Sequence, residues 1–391
     1  GDPGRGYDGN YHYPGERPAV GYHLMRSLYG VQATGQGHIS RARAMSAALA
    51  KLGAEVTWLF SGRPRDKLFD MEPFGDFIHR RGLTFSTRNG RICYLRTLLD
   101  NNLPQFLRDI RHLELARFDM IVTDYEPVTA WAGRLSGRKT IGIGHQYAFG
   151  DATPAEGDDL LSRTIMRNFA PVDLPLGLHW HPYSGTVLPP ILDLPEINTA
   201  AQGHVVVYLP FEDQEVVTAW LQHFPQQRFV QYASGLTEET RGNIHRRPAS
   251  IETFKRCLAS SAGVICNSGF ELISECLQWR KPILTKPLRG QMEQLSNARA
   301  LVELGYASVT RDLSHLALER WLAAPLAPPQ LRFADVARGL SRWLVSGCNE
   351  SPQQLAKTLW RSPPVLTNTA ESAFNGTQSS ITNCIPEVLT G

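Results

Sequence analysis

Residues 264–298 read VICNSGFELISECLQWRKPILTKPLRGQMEQLSNA, and this stretch decides the predicted fold. The apolar run 264–266 is typical of a strand buried on both faces of a parallel sheet, and Asn267-Ser268-Gly269 ends it. Apolar residues then recur at spacings of three and four, which predicts a helix. Ser268 and Glu271 form a capping-box pattern that marks its start. Pro282 begins a second strand, which leads through a loop into another helix. The order predicts an α/β fold with a parallel sheet.

The turn at Ser268-Gly269 is a candidate anion site. A helix N-terminus after a parallel strand presents free backbone N–H groups and the positive end of the helix dipole. Gly269 has no side chain to keep a diphosphate away. The capping box accounts for Glu271, which leaves Glu275, one turn further on, to accept hydrogen bonds from ribose hydroxyls. An ordinary strand–helix unit with two solvated glutamates is the alternative interpretation.

A second unit of this kind stands near the beginning of the chain. Residues 26–31 predict a strand, the turn QATGQGH follows at 32–38, a helix is predicted from about residue 39 to residue 52, and residues 55–60 predict another strand. A dinucleotide-binding fold would need a third glycine after Gly35 and Gly37 and an acidic residue at the end of the second strand. That strand is followed instead by Arg63, which leaves an NADP-dependent enzyme as an alternative interpretation.

The two patterns together resemble the GT-B glycosyltransferases, in particular the bacterial lipid-linked N-acetylglucosaminyltransferase of peptidoglycan synthesis and its relatives. The resemblance rests on the Thr-Gly-x-Gly-His turn at 34–38 and on Ser268-Gly269, Ser274-Glu275, Pro282, Gln291, Glu293-Gln294 and Asn297-Ala298. It implies two Rossmann-like α/β domains with the active site in the cleft between them. It also implies that Glu275 binds the ribose of a UDP-sugar and that Glu293 and Gln294 bind the sugar hydroxyls. Glu293 stands where that family usually has a glutamine.

The predicted reaction is inverting transfer of a hexose or N-acetylhexosamine to a hydroxyl acceptor. Such a transfer needs a base for the hydroxyl and positive dipoles for the leaving diphosphate. His38 is the candidate base, and a histidine that only hydrogen-bonds the loop or the donor phosphate is the alternative. Asp124 is the second catalytic candidate, and Glu126 and His145 are acceptor-side candidates, because all three follow predicted parallel strands.

The donor is predicted to bind without a metal ion or another cofactor, since the sequence has no DxD motif and no histidine cluster. Backbone amides and Arg289, beside Gly290, would neutralise the diphosphate. The donor-binding candidates are Gly35, Gly37, Ser268, Gly269, Glu275, Arg289, Gly290, Gln291, Glu293 and Gln294.

Composition and length suit a two-domain globular enzyme. The 391 residues carry a formal net charge of +3, which is too small to indicate a nucleic-acid partner. No apolar run approaches the length of about 18 residues that a membrane helix needs. The six scattered cysteines have no zinc-site spacing and favour a reducing compartment. We therefore expect a cytoplasmic enzyme, with peripheral contact to the inner membrane face and a lipid-linked or small-molecule glycan acceptor as further hypotheses.

The predicted domains follow changes in sequence pattern. Residues 1–24 have no apolar period and are expected to be a disordered leader or tag. Residues 25–190 form the acceptor-side domain and 200–325 the nucleotide-sugar domain. Residues 326–362 form terminal helices that cross back to the first domain, and 363–391 form a mobile tail. A nucleotide-sugar 2-epimerase of the same fold and a non-catalytic nucleotide-sugar-binding protein remain alternative functions.

Overall fold

The computed structural model describes residues 25–84, 87–88, 91–92, 101–150, 152–157, 160–195, 197 and 199–361. Backbone contacts divide the chain into two units. Unit 1 contains the chain up to Asp193 together with Leu288–Arg299 and Val336–Arg361. Unit 2 contains Leu194–Pro287 and Ala300–Asp335. The predicted leader and tail lie outside the described residues.

Unit 1 is built on a seven-stranded parallel sheet flanked by helices. The strand order is β3-β2-β1-β6-β7-β8-β9. The strands are β1 (Arg26–Gln32), β2 (Glu55–Ser61), β3 (Ile78–His79), β6 (Met120–Asp124), β7 (Thr140–Gly144), β8 (Leu174–Leu178) and β9 (Val187–Leu188). A separate antiparallel pair is formed by β4 (Thr87–Arg88) and β5 (Arg91–Ile92). The helices up to Asp193 are α1 (Gln36–Lys51), α2 (Leu103–Arg111), α3 (Pro127–Leu135) and α4 (Leu160–Phe169).

The core of unit 1 lies against the central strand β1, which pairs in parallel with β2 on one side and β6 on the other. Six of the seven residues of β1 are buried, as expected of a strand covered on both faces. Gly30 allows α3 to approach this strand, because a Cβ atom there would lie 2.3 Å from the Thr129 hydroxyl oxygen. The close packing fixes the ends of β1 and β6 relative to each other.

Unit 2 has a second seven-stranded sheet, in the order β12-β13-β11-β10-β14-β15-β16, with only β12 antiparallel. The strands are β10 (His204–Tyr208), β11 (Arg228–Ala233), β12 (Glu239–Arg241), β13 (Ile244–Pro248), β14 (Gly263–Asn267), β15 (Ile283–Lys286) and β16 (Ser308–Val309). The helices are α5 (Gln214–Gln222), α6 (Ile251–Ala259), α7 (Phe270–Gln278), α8 (Met292–Glu303) and α9 (His315–Ala323). The first part of α8 belongs to unit 1, as do α10 (Val336–Val345) and α11 (Pro352–Arg361).

The opening stretch agrees with the prediction in its strand and differs from it in the cap of its helix. Strand β14 is buried at all five positions, as its apolar run indicated. The predicted capping box, however, is wrong. The N-cap residue of α7 is Gly269, and no side chain makes a capping hydrogen bond there. Ser268 is fully buried, and its hydroxyl group bonds the Thr285 hydroxyl group on β15 at 2.9 Å. A contact with a neighbouring strand therefore replaced the local one.

Within the described residues, none of the helices combines the length and the apolar character that a bilayer-spanning segment requires.

Candidate active site

The glycine-rich turn after β1 places His38 in the first turn of a helix. Helix α1 begins at Gln36, earlier than the predicted residue 39, and Gly35 is its N-cap in extended conformation. Gly35 leaves the approach to the ring open, because a Cβ atom there would meet only His38 Cδ2, at 4.0 Å. His38 is the third helical residue, so it lies at the positive end of the α1 dipole.

Asp124 lies beside His38 because β6 runs next to β1. Asp124 is the last residue of β6, is paired in register with Val31, and is only 1 % exposed. His38 Nδ1 lies 2.8 Å from Asp124 Oδ1. A carboxylate can only accept a hydrogen bond, so Nδ1 carries the proton and Nε2 is left as the basic nitrogen. Within the described residues Nε2 has no hydrogen-bond partner, and the structure thus brings the two catalytic candidates together as an oriented His–Asp pair.

Arg41 completes this cluster and was missed in the sequence. Its side chain is 2 % exposed, with Nε donating to Asp124 Oδ2 at 2.9 Å and Nη2 donating to Oδ1 at 2.7 Å. Burial alone would raise the pKa of Asp124, but the Arg41 guanidinium, with His38, outweighs burial and holds that pKa below its usual range. The available signal was the spacing of three from His38, which puts both side chains on one face of the helix.

Glu126 is buried as a helix cap, which conflicts with the predicted acceptor-side role. Its carboxylate accepts from the backbone N–H groups of Val128 at 2.8 Å and Thr129 at 2.6 Å, and from the Ser61 hydroxyl group at 2.6 Å. Glu126 is 0 % exposed, and burial raises its pKa in spite of these hydrogen bonds. The carboxylate follows a parallel strand as predicted, yet it serves the start of α3.

His145 is also buried, against its predicted role as an acceptor-side residue. It is 0 % exposed, and its Nδ1 lies 2.8 Å from the Leu178 carbonyl oxygen, to which it donates. Its Nε2 lies 2.7 Å from Asn297 Oδ1. Burial lowers the pKa of His145. This histidine links the first part of α8 to β8 through these two contacts.

The predicted sugar-binding residues at the start of α8 divide into one that is partly accessible and one that is buried. Glu293 is half-buried and accepts from Gln146 Nε2 at 3.2 Å. Gln146 in turn adjoins Asp124 around Gly144, where a Cβ atom would lie 3.2 Å from Asp124 Oδ1 and 3.4 Å from Gln146 Oε1. Gln294 is buried, and its Oε1 accepts from the backbone N–H of Leu288. Glu293 is therefore linked through Gln146 to the surroundings of Asp124, whereas Gln294 is hydrogen-bonded to the loop that precedes α8.

The remaining loop candidates lie at the surface of unit 1. Arg289 and Gly290 are exposed and Gln291 is half-buried. Gly290 has φ +75°, which a glycine adopts without strain. The loop after β15 therefore turns sharply at Gly290, and the Arg289 side chain is in solvent.

The predicted nucleotide-binding turn lies at the carboxyl end of β14 in unit 2. Gly269 has φ −74°, and a Cβ atom there would meet nothing within 4 Å. Nothing in the protein's own packing thus requires glycine at this position. Glu275 is buried within α7, and its Oε1 lies 3.2 Å from the Lys255 ammonium of α6, which is also buried. Glu275 is therefore ion-paired to Lys255, a partner that the sequence did not predict.

Among the described residues, no three or more His, Cys, Asp or Glu side chains form a group that could hold a metal ion.

Known proteins share this architecture. Residues 25–325 match the family model described as Glycosyl transferase family 1. The chain belongs to this glycosyltransferase family. It is therefore an enzyme, and the predicted resemblance is confirmed. No curated protein sequence matches the chain.

Solved structures of glycosyltransferases resemble this one in fold. The glycosyltransferase of kitacinnamycin is 13% identical, with 87% of this chain and 99% of that chain covered and a TM-score of 0.56. The spinosyn rhamnosyltransferase SpnG, complexed with thymidine diphosphate, is 14% identical, with 86% and 100% covered and a TM-score of 0.51. MurG of Acinetobacter baumannii is 13% identical, with 82% and 98% covered and a TM-score of 0.50. The predicted GT-B fold with two Rossmann-like domains is thereby confirmed.

Proposed function

We propose that this glycosyltransferase moves a hexose or N-acetylhexosamine from a nucleoside-diphosphate sugar to an acceptor hydroxyl group, with inversion and without a metal ion. The observation that carries the proposal is the His38–Asp124 pair. A buried carboxylate orients the imidazole so that its basic Nε2 is unengaged within the described residues. Such an arrangement is what a general base for an acceptor hydroxyl requires.

The proposed step is a single displacement. The acceptor oxygen attacks the anomeric carbon as its proton passes to His38 Nε2, and the bond from that carbon to the diphosphate oxygen breaks. The diphosphate leaves with the electron pair, and Asp124 stabilises the imidazolium that forms. Attack from the face opposite the leaving group inverts the anomeric configuration.

The donor proposal rests on the start of α7 in unit 2. Free N–H groups at a helix N-terminus, together with the open space at Gly269, suit a diphosphate. Arg289 supplies a mobile cation to the leaving group in place of a metal ion. Two similar glycosyltransferases, SpnG and SsfS6 of Streptomyces sp. SF2575, were solved in complex with thymidine diphosphate, which supports a nucleoside diphosphate as the ligand class.

The donor's sugar is proposed to meet Glu293, whose carboxylate lies on the His38–Asp124 side of α8. A carboxylate accepts hydrogen bonds from sugar hydroxyl groups, and Gln146 holds it in place. Glu275 keeps its proposed role toward the ribose, now as a carboxylate that also pairs with Lys255.

The acceptor is proposed to be a lipid-linked or small-molecule glycan. The reaction is placed in the cytoplasm, with peripheral contact to the inner membrane face as the corollary of a lipid-linked acceptor. The four cysteines at positions 257, 266, 276 and 348 are free thiols, which suits a reducing compartment.

The test is a mass-spectrometric screen of the protein against nucleotide sugars, with and without an acceptor panel. We expect binding of one donor class and release of the nucleoside diphosphate only when an acceptor is present, unchanged by a chelator. Release without an acceptor, together with an isomerised sugar, would assign a 2-epimerase instead. Donor binding without turnover across the panel would assign a binding protein.

A further inference from the structure

A buried arginine stands behind the proposed base. Arg41 and Asp124 are 2 % and 1 % exposed, and two of the guanidinium nitrogens each contact a different carboxylate oxygen. Burying an arginine is costly, because its charge is desolvated. Hydrophobic residues often replace such buried ion pairs without loss of stability, so stability alone does not explain this one.

We propose that Arg41 is a positioning residue for sugar transfer, which fixes Asp124 by a two-point contact and so holds His38 in the orientation in which Nε2 can accept the acceptor's proton. The inference rests on the proposed function and names a residue that acts through Asp124, without contacting the substrate itself.

The charges in the cluster support this role. Arg41 Nη2 lies 2.9 Å from His38 Nδ1, and both nitrogens converge on Asp124 Oδ1. Since Nδ1 donates to that oxygen, it cannot also accept from Arg41, so the guanidinium is a neighbouring positive charge. A second proton on the imidazole would therefore be repelled. Without Arg41 the buried carboxylate would lose the two contacts that hold it in place, and with them the fixed position of the oxygen that Nδ1 of His38 contacts.

The geometry further explains why the cation is arginine. Its planar fork reaches both carboxylate oxygens at once, whereas a lysine ammonium is a point charge that cannot reproduce a two-point contact. The fork fixes the rotation of the carboxylate and hence the direction in which Oδ1 faces His38.

Other charged and titratable groups around the cluster do not substitute for Arg41. Tyr29 on β1 and Tyr147, in the short helix after β7, interact electrostatically with Asp124, and burial raises the pKa of both. Arg41 also interacts electrostatically with His145, and His145 interacts in the same way with Glu293.

The charged side chains of the neighbouring elements are either hydrogen-bonded to other groups or exposed. Arg63, after β2, is engaged with Gln36 and the Thr34 carbonyl oxygen. Glu72 in the short helix packed on α1 is exposed, as are Arg338 and Arg342 on α10. Arg41 is thus the cation that contacts both members of the pair.

The test is the pH dependence of kcat/KM for Arg41→Met, with Arg43→Met as the matched control. Arg43 lies on the same helix and contacts the carbonyl oxygen of Asp70 and, at 3.9 Å, the carboxylate of Asp193. We expect Arg41→Met to lose activity at least about tenfold at neutral pH, because Asp124 no longer holds His38 in place, and to regain part of it as pH rises, because the acid limb moves up when the neighbouring positive charge is removed. Donor affinity measured by calorimetry should not change, and the control should match wild type.

Arg41→Lys separates charge from geometry and serves if Arg41→Met does not fold. It keeps the positive charge, so the acid limb should stay in place while kcat falls several-fold at unchanged donor KM. A wild-type kcat in Arg41→Lys, or a loss in Arg41→Met that is equal at every pH, would overturn the proposal. His38→Gln is assayed beside them. Full activity there would remove the base assignment itself, and an inactive His38→Gln with wild-type Arg41 variants would remove only the role of Arg41.

Discussion

At the residue scale, the site combines residues that local patterns identify with others that only the fold brings in. His38 and Asp124 could be predicted, because one follows a glycine-rich turn and the other ends a buried strand. The pairing of Arg41 with Asp124 and that of Lys255 with Glu275 could not, since the partners lie 83 and 20 positions apart along the chain. Glu126 and His145 also follow buried strands, yet Glu126 caps a helix and His145 contacts α8. No local pattern distinguishes such contacts from a contact with substrate.

The Lys255–Glu275 pair changes what is expected of Glu275→Gln. From the sequence this substitution should leave stability unaffected and weaken UDP binding about tenfold or more. The structure adds a loss of stability, because glutamine removes the carboxylate charge that lies 3.2 Å from the buried Lys255 ammonium. We expect a cost of about 1–3 kcal/mol in the free energy of unfolding. Thermal unfolding and calorimetric titration with UDP measure the two effects.

Two controls accompany that measurement. Glu252→Gln removes the exposed i,i+4 partner of Arg256 on the same helix as Lys255 and should change neither quantity. The double variant Lys255→Met/Glu275→Gln should recover part of the lost stability. A Glu275→Gln protein as stable as wild type would show that the pair does not form.

At the element scale, both candidate sites use a helix whose N-cap is a glycine a few residues after a parallel strand, Gly35 for α1 and Gly269 for α7. The sequence placed both elements, since apolar runs and helical spacing are local. It misplaced the start of α1 by three residues and assigned the wrong cap to α7. The cap was missed because the Ser268 hydroxyl group bonds Thr285 on the next strand, a contact that depends on how the strands pair.

Gly269→Ala tests the diphosphate site at the start of α7. The backbone at Gly269 is open to any residue, and the added methyl group would meet no protein atom. Stability should therefore stay within about 0.5 kcal/mol of wild type. Binding of a nucleoside diphosphate should weaken, because the methyl group occupies the space in front of the helix N-terminus.

Gly150→Ala is the matched control, since a Cβ atom at Gly150 also meets nothing within 4 Å. It should bind the nucleotide as wild type does. Unchanged nucleotide affinity in Gly269→Ala, measured by calorimetry, would separate this turn from the diphosphate.

At the scale of the whole molecule, the pattern of alternating strands and helices predicted two α/β domains. It did not predict that residues 288–299, between β15 and the middle of α8, group with unit 1. Their contacts include the His145–Asn297 and Gln146–Glu293 hydrogen bonds, which join residues about 150 positions apart. Such grouping depends on tertiary packing and is invisible to local periodicity.

Buried histidines should make the fold sensitive to mild acid. Burial lowers the pKa of His145 and His204, and lowers that of His179 well below its usual value. In the unfolded chain these rings titrate near about 6.5. Below that pH the unfolded state therefore binds more protons than the folded state, and stability falls as pH decreases. We expect the unfolding temperature to be level above about pH 7.5 and to fall from about pH 6.5 downward.

His179→Phe isolates one of these rings. Phenylalanine cannot accept the hydrogen bond from the Trp180 backbone N–H, so the variant should be less stable throughout. Its unfolding temperature should nevertheless depend less on pH between about 5 and 7 than that of wild type. Glu126, whose raised pKa gives the opposite sign, is common to both proteins and cancels in the comparison. Parallel curves for the two proteins would contradict the assignment of His179 as a buried neutral ring.

The most direct test of the proposed mechanism is acceptor-dependent release of nucleoside diphosphate by wild type and by His38→Gln, measured with one batch of donor and acceptor. His38 should be dispensable for donor binding and essential for transfer. We predict a fall in turnover of at least about a hundredfold, the usual scale for losing a general base, with donor affinity unchanged by calorimetry. Turnover by His38→Gln at the wild-type rate, or a collapse of donor binding in its place, would contradict the account.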